Sequence, residues 1–274
     1  MRFRVSFLVV PFVLSFCGIA LSQAPPMNAA PPLERVQVAP PVRGIDPPSP
    51  SATAEELERR GDELRAEKNF LDAMDYFQAA LAKNPSSPSL FNKMGIVNLQ
   101  THHLKDAKKN FERSTKIDKK FADGYNNLAV TYYYEKKYGK AIKLYTRAIG
   151  LREDAASYFN NLGAAYFAKK DFEKAVMAYS KAVELDPDVL ERTSRIGVSA
   201  QLPSPEDRAR YDFVIARLYA KQGLAERALL YLRRSMEEGY KDIQVVYKDA
   251  DFAGLRKDPR FTELMAAKPP AIPE

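Results

Sequence analysis

The sequence predicts an all-α solenoid, in which pairs of helices stack one behind another and a C-terminal helical cap covers the last pair. Three observations support this prediction. A pattern of 34 residues repeats four times without a gap between residues 54 and 189. Every copy has alanine at its twentieth position and an aromatic residue at its twenty-fourth. Apolar residues within each copy recur at spacings of three and four, which indicates helices rather than strands.

An N-terminal segment precedes the repeats and has the pattern of a secretory signal peptide. Residues 1–24 begin with two arginines, continue as an uncharged apolar run and end in small residues. Cleavage after Ser22 and cleavage after Ala24 both fit this pattern. We therefore expect an exported protein, periplasmic or secreted. The alternative is an uncleaved membrane anchor, although the run is short for a bilayer span and contains Pro11 and Gly18.

A proline-rich stretch follows at residues 25–52. It contains nine prolines and few aliphatic side chains. Proline fixes φ and removes a backbone donor, so we expect an extended, solvated linker. Removal of the signal segment would also remove Cys17, the single cysteine. The mature chain would then have neither a disulfide nor a thiolate metal site.

Four regular repeats come next, at residues 54–87, 88–121, 122–155 and 156–189. Small residues recur at positions eight, twenty and twenty-seven, where two helices must approach closely. Large residues at positions four and twenty-four are predicted to fill the gaps between neighbouring helices. One helix pair cannot bury its own apolar stripe, so each repeat needs the next one.

This pattern resembles the tetratricopeptide repeat, a helix–turn–helix unit marked by aromatic, Leu-Gly, Tyr, Ala, aromatic, small and Pro residues. The resemblance covers about half of the chain and is most complete in the last regular repeat. It implies a right-handed superhelix with a concave and a convex face. The markers in that repeat are Phe159, Leu162, Gly163, Tyr166, Ala175, Tyr179, Ala182 and Pro187.

The pattern weakens after residue 189. We predict an irregular insertion at 190–208, an atypical fifth repeat at 209–242 and a C-terminal cap at 243–268. Ser204 followed by Pro205 and two acidic residues is typical of a helix start, and Asp258 followed by Pro259 is another. Gly239 is a predicted helix stop. The residues expected to cover the open end of the stack are Phe252, Leu255, Phe261 and Leu264.

Residues typical of catalysis are scarce. The two histidines, His102 and His103, are adjacent in a turn, where their side chains point apart. No glycine-rich phosphate loop and no cysteine–histidine pair occurs in the repeats. We therefore predict a non-catalytic protein with no metal and no cofactor.

Asparagine recurs at position five of three consecutive repeats and at position six of two. Asparagine is a mediocre helix former, so its recurrence inside helices needs a reason. The family resemblance implies that these positions face the concave groove, where amides can pair with the backbone of an extended peptide. The alternative is that the amides bond across repeats and only fix the stack. The predicted ladder is Asn92, Asn126, Asn127, Asn160 and Asn161, with apolar contacts from Tyr133, Tyr134 and Phe167.

Charge is uneven along the repeats, since the second repeat carries 8 basic and 3 acidic residues. Its predicted basic patch is either a solvated face or a contact for an acidic partner. Nucleic acid is not an expected partner, because the basic excess is local and not interleaved with exposed aromatic residues. A clamp for acidic chain ends is not favoured either, since Glu58 and Asp62 accompany Arg65 and Lys93. The basic patch comprises Lys105, Lys108, Lys109 and Lys116.

The sequence therefore predicts a scaffold or adaptor of the cell envelope, which binds a peptide or protein in its concave groove. The alternative is a membrane-anchored structural or accessory subunit of an envelope complex. That subunit would contact an acidic partner through the basic face of the second repeat.

Overall fold

The computed structural model describes residues 45–192 and 204–267. Residues 1–24, most of the proline-rich stretch and residues 193–203 of the predicted insertion lie outside this part of the chain. Every regular element in the described ranges is a helix, and none is a strand. The predicted all-α class is thereby confirmed.

Eight helices form the four regular repeats, two helices to a repeat. The helices of each pair pack against each other, and each first helix also contacts the first helix of the next pair. The first helices therefore form a continuous layer. The pairs are α1 (Ala54–Ala66) with α2 (Phe70–Lys83), α3 (Pro88–Gln100) with α4 (Leu104–Ile117), α5 (Ala122–Tyr134) with α6 (Tyr138–Ile149), and α7 (Ala156–Ala168) with α8 (Phe172–Leu185).

Close packing within each pair explains the small residue at position eight. A Cβ atom on Gly61 would lie 2.6 Å from the ring of Phe77, and one on Gly95 would lie 2.5 Å from Phe111. Both distances are shorter than a van der Waals contact. Glycine at this position lets the aromatic residue at position twenty-four lie flat against the first helix.

Each first helix ends in a left-handed residue at position fifteen of its repeat. These residues have φ between 58° and 67°, and they are Lys68, His102, Lys136 and Lys170. In the first repeat, the Lys68 N–H donates to the Arg65 carbonyl at 3.1 Å, and the Asn69 N–H donates to the Leu64 carbonyl at 2.8 Å. This is the paired hydrogen bonding of a Schellman turn. Because this turn recurs, the chain passes from the first helix to the second in the same way in all four repeats.

A fifth pair follows the regular repeats, and it begins earlier than the sequence predicted. Ser204 Oγ accepts a hydrogen bond from the Asp207 N–H at 3.1 Å, which caps a helix that starts at Pro205. Residues 205–208 therefore belong to this helix and not to an irregular insertion. The remaining helices are α9 (Val189–Arg192), α10 (Pro205–Lys221), α11 (Ala225–Glu237) and α12 (Pro259–Ala267), with three short 3-10 turns between α11 and α12.

The C-terminal segment packs on the fifth pair. Phe252, Leu255, Phe261 and Leu264 are buried in one cluster with residues of α10 and α11. The helix start at Pro259 and the stop at Gly239, which has φ of 81°, are confirmed. No helix in the described part of the chain is long and apolar enough to span a bilayer.

The end of the proline-rich stretch lies against the first repeat. Tyr76 Oη donates a hydrogen bond to the Asp46 carbonyl at 3.1 Å, and Lys83 Nζ donates to the Pro50 carbonyl at 2.8 Å. Ile45 and Ala52 also contact the core of this repeat. Residues 45–52 are therefore held against the first repeat, although five of them (46, 47 and 49–51) stay exposed to solvent. Among the described residues no repeat precedes α1, so the surface of α2 accepts this stretch.

Candidate functional site

A groove of about 640 Å³ runs along the layer of first helices. Its walls come from all four regular repeats and from α9. The residues that line it include Asp62, Asn92, Asn126, Asn127, Asn161 and Val189. Four of the five asparagines predicted to line a groove therefore do so.

The asparagines form a ladder of hydrogen bonds from one repeat to the next. Asn127 Nδ2 donates to Asn92 Oδ1 at 2.9 Å, and Asn161 Nδ2 donates to Asn126 Oδ1 at 2.9 Å. Within the third repeat, Asn126 Nδ2 donates to Asn127 Oδ1 at 2.9 Å. All four side chains are buried. Position six of each repeat thus donates to position five of the preceding one.

An ionic contact takes the same place between the first two repeats. Lys93, at position six, lies 2.7 Å from Glu58 Oε1 at position five of the first repeat. Its ammonium also contacts Asp62. The contact between positions six and five therefore recurs at three successive interfaces. This geometry favours the hypothesis that the ladder fixes the stack, while the same side chains form the floor of the groove.

The fifth asparagine, Asn160, is buried but does not line the groove. At the equivalent of position six, the fifth pair has Val214, which has no amide to donate. The ladder therefore ends at the fourth repeat.

Two of the three aromatic residues predicted to contact a ligand belong to the core instead. Tyr133 is fully buried, and its ring centroid lies 5.4 Å from that of Tyr138. Phe167 is also buried, with its ring 5.2 Å from that of Phe172. In both repeats, the aromatic residue at the start of the second helix covers the one near the end of the first. Tyr134, which is 38% exposed, is the one of the three at the surface.

A charged cluster lies at the rim of the groove between the third and fourth repeats. Asp123 Oδ1 accepts hydrogen bonds from Arg152 Nη2 at 2.7 Å and from Tyr158 Oη at 2.5 Å. Burial raises the pKa of Tyr158 well above its usual value, and the hydrogen bond to Asp123 raises it further. The phenol therefore stays protonated and acts as a donor that holds Asp123 in place.

The predicted basic patch on the second repeat is only partly exposed. Lys105, Lys109 and Lys116 are exposed on α4. Lys108 instead lies 3.1 Å from Glu135 Oε1, with its ammonium 4.0 Å from the centroid of the Tyr132 ring. Hydrogen bonds from Lys137 and Lys108 lower the pKa of the Glu135 carboxyl. Lys108 thus holds two repeats together and contributes little free charge.

A second group of lysines, which the sequence analysis did not identify, surrounds a shallow depression at the turns of the third and fourth repeats. It consists of Lys136, Lys137, Lys140, Lys143 and Lys169, and we call it the turn-edge cluster. The signal in the sequence was the run KKYGKAIK at 136–143, followed by lysine at the equivalent turn one repeat later. Only the stacked register brings the two turns together.

The histidine turn shows no arrangement suited to a metal. His102 is the left-handed residue of its turn, and both histidines are exposed. Within residues 45–192 and 204–267, no group of three or more histidine, cysteine, aspartate or glutamate side chains is placed to hold an ion.

Comparison with known proteins bears on the repeats directly. The tetratricopeptide repeat family model matches residues 122–154 and 156–189. A small glutamine-rich tetratricopeptide repeat-containing protein 2 from Mycosarcoma maydis is 26% identical over 98 residues, which cover 36% of this chain. The match spans only 28% of that relative's length.

Solved structures of repeat proteins are similar in fold at low identity. TTC0263, a thermophilic repeat protein of Thermus thermophilus, is 19% identical with a TM-score of 0.49, covering 78% of this chain and 100% of its own. YrrB, described as having an unusual peptide-binding site, is 16% identical with a TM-score of 0.45, covering 71% of this chain and 91% of its own.

Tetratricopeptide repeat proteins act as protein-interaction modules, some of which bind peptides, and they are generally non-catalytic scaffolds. The matched segments coincide with two of the helix pairs described above. The other two regular pairs repeat the same turn and the same small residues at the same positions. Residues 122–154 and 156–189 of this chain are therefore tetratricopeptide repeats.

Proposed function

We propose that this protein is a non-catalytic scaffold that holds an extended protein segment in the groove along its first helices. One observation carries the proposal: a groove of about 640 Å³ whose floor is a buried ladder of amides. An extended segment needs hydrogen-bond partners for its backbone when it leaves water. Asn126 and Asn127 each use one of their two N–H donors in the ladder, which leaves a second donor on each.

The charges of the groove favour a neutral or basic segment. Its lining contains four carboxylates, Asp62, Asp123, Asp154 and Asp186, and two cationic side chains, Arg65 and Lys93. Both cationic side chains already lie within ion-pair distance of Asp62. An acidic chain end would therefore meet an excess of carboxylates, which weakens its binding.

Photo-crosslinking in the native cell tests this proposal. Ser157 is the best position for the photoreactive residue, because it is exposed, lines the groove and lies outside the ladder. The control position is Lys109 on α4, whose side chain is 78% exposed. We expect one dominant adduct from position 157 that is absent from position 109.

Adducts from position 109 alone would contradict groove binding and support the alternative partner contact through the second repeat. That alternative has less support here, because Lys108 is engaged by Glu135. Absence of adducts at both positions would leave the ladder as a purely structural feature and would overturn the proposal.

We further propose that the protein works in the cell envelope, periplasmic or secreted, after loss of its signal segment. The support is the pattern of residues 1–24 together with the proline-rich stretch. The mass of the N-terminal peptide of the native protein tests this. A chain that begins at Gln23 or Pro25 would support export with cleavage. A chain that keeps residues 1–22 and stays in the membrane fraction would support the anchored subunit instead.

A further inference from the structure

The turn-edge cluster is a cationic surface in which lysines outnumber the neighbouring carboxylates. All five of its lysines are exposed. Lys137 lies 2.7 Å from Glu135, and it is the only member that forms an ion pair with another described residue. Lys136, Lys140, Lys143 and Lys169 form no ion pair with a described residue, and Lys140 lies only 5.6 Å from the centroid of the Tyr132 ring. Most of their charge is therefore available for an external partner.

Several cationic side chains at the contacts between helices are instead matched by carboxylates. Lys93 lies 2.7 Å from Glu58, and Lys108 lies 3.1 Å from Glu135. Within the third repeat, the guanidinium of Arg152 lies 2.7 Å from Asp123, and Arg152 also contacts Tyr158 of the fourth repeat. These contacts stabilise the stack, and their charges are largely neutralised. The turn-edge cluster differs, because its charge has no role in joining one repeat to the next.

The turn itself is common to the array. Its left-handed residue recurs at Lys68, His102, Lys136 and Lys170, and the equivalent residue of the fifth pair is Gly223 at φ of 75°. The turn-edge cluster is therefore set apart by its charge and not by its backbone.

The shape and chemistry of the cluster indicate what it binds. It contains no arginine, whose planar fork is the group suited to a single carboxylate or phosphate. The depression around Tyr138 and Gly139 is shallow, and it has no wall that could enclose a side chain. Separate ammonium groups on flexible stems suit a broad surface of many anions. Lysines close to an anionic lipid surface are each attracted to it, and their contributions add.

We infer that the turn-edge cluster binds the anionic headgroups of a membrane surface. This surface shares no residue with the groove, so the protein would lie against the bilayer by its turns while the groove stays accessible.

Vesicle co-sedimentation of the full-length chain tests this inference. The test variant is K136Q/K140Q/K143Q/K169Q. The matched control, K105Q/K109Q/K119Q/K120Q, removes the same charge from exposed lysines of the second repeat. Both are measured with phosphatidylcholine vesicles and with vesicles containing phosphatidylglycerol, and circular dichroism checks that helix content is unchanged. The N-terminal segment is the same in every variant, so its contribution cancels.

We expect the test variant to lose at least about tenfold in partitioning to phosphatidylglycerol vesicles, because each lysine near an anionic surface contributes separately. The control should change less than about twofold, and high salt should abolish the difference. Equal losses in both variants would overturn the inference, as would equal binding to neutral and anionic vesicles. Binding of the same variants to polyglutamate is measured in parallel. If the test variant loses binding to polyglutamate but keeps its binding to vesicles, the surface is a contact for an acidic protein and the inference is overturned.

Discussion

The regular repeats and the fifth helix pair share a backbone path but differ at the floor of the groove. Both have a left-handed residue at position fifteen and buried small residues at positions twenty and twenty-seven. At positions five and six, however, the fifth pair has Phe213 and Val214, both buried, in place of polar residues. At position four it has Asp212, where every regular repeat has an apolar or aromatic residue.

This difference separates two roles within one repeat. The left-handed residue at position fifteen and the small residues at positions twenty and twenty-seven determine how the two helices of a pair pack. Positions five and six determine whether the pair packs against another repeat or against the C-terminal segment. A polar residue there joins another repeat and lines the groove. Phe213 instead stacks on Tyr240, with ring centroids 4.3 Å apart, and lies 5.7 Å from Phe252 of the C-terminal segment. Phe213 and Val214 thus end the polar ladder and provide the apolar surface on which the C-terminal segment packs.

The shared packing position should give the largest effect. Gly95→Val places side-chain atoms inside the ring of Phe111, since even a Cβ atom would lie 2.5 Å from it. We expect the free energy of unfolding, measured by urea denaturation, to fall by about 3 kcal/mol. Gly139→Val is the control, because no atom lies within 4 Å of a Cβ atom there. Valine is a better helix former than glycine, so propensity alone gives no loss, and similar losses in both variants would contradict the packing explanation.

The ladder is expected to give the next largest effect. Asn127→Ala removes the donor to Asn92 and the acceptor for Asn126, and it leaves both partners buried. We expect a loss of about 2 kcal/mol in the free energy of unfolding. Asn98→Ala, on the same layer of helices, should change it by less than about 0.5 kcal/mol. If Asn127→Ala lowers the free energy of unfolding by less than about 0.5 kcal/mol, the amides do not stabilise the stack, and ligand binding would explain their recurrence.

The acidic residue of the fifth pair should make stability depend on pH. Burial raises the pKa of Asp212 from 3.8 to about 6 in the folded state. The folded state therefore holds the proton more tightly than the unfolded chain, and stability falls as the pH rises from about 4 to about 6. We expect Asp212→Asn to raise the free energy of unfolding at pH 8 by about 1 kcal/mol, a figure reduced for partial solvent exposure.

The advantage of Asp212→Asn should be much smaller at pH 4, where the folded carboxyl carries the proton and the unfolded one, with a pKa of 3.8, is partly protonated. Chemical denaturation of both proteins at pH 4 and pH 8 checks this. If the stability gain of Asp212→Asn is equal at pH 4 and pH 8, the amide forms new contacts and the carboxylate charge is not the cause.

The turns should give the smallest effect. Lys136→Gly relieves a non-glycine residue at φ of 58° and should raise the free energy of unfolding by about 0.5–1 kcal/mol. The reverse change in the fifth pair, Gly223→Lys, should lower it by about 1 kcal/mol. Lys137, at φ of −88°, provides the control, because Lys137→Gly removes the same charge without relieving strain. If both glycine variants are stabilised equally, charge repulsion and not backbone strain explains the gain.

The sequence was sufficient for the repeats because their period is ungapped and their small residues are fixed by contact distances. It was sufficient for the start of α10, since the capping chemistry of Ser204 is local. It was not sufficient for Tyr133 and Phe167, because the aromatic residue that covers each one lies on the other helix of the pair. Lys108 was misjudged for a similar reason, since Glu135 lies 27 residues further along the chain.

The direction of the ladder constrains how the array can change in length. Each repeat presents a donor at position six to the repeat before it and an acceptor at position five to the repeat after it. Loss of residues 122–155 as one unit would bring Asn161 against Asn92, which reproduces the amide pair already present. Moving the second repeat behind the third would place Lys93 against Asn126 and leave Glu58 without its cation. We therefore expect duplication and deletion to be tolerated among the asparagine repeats, and the ionic repeat to be confined to the second place.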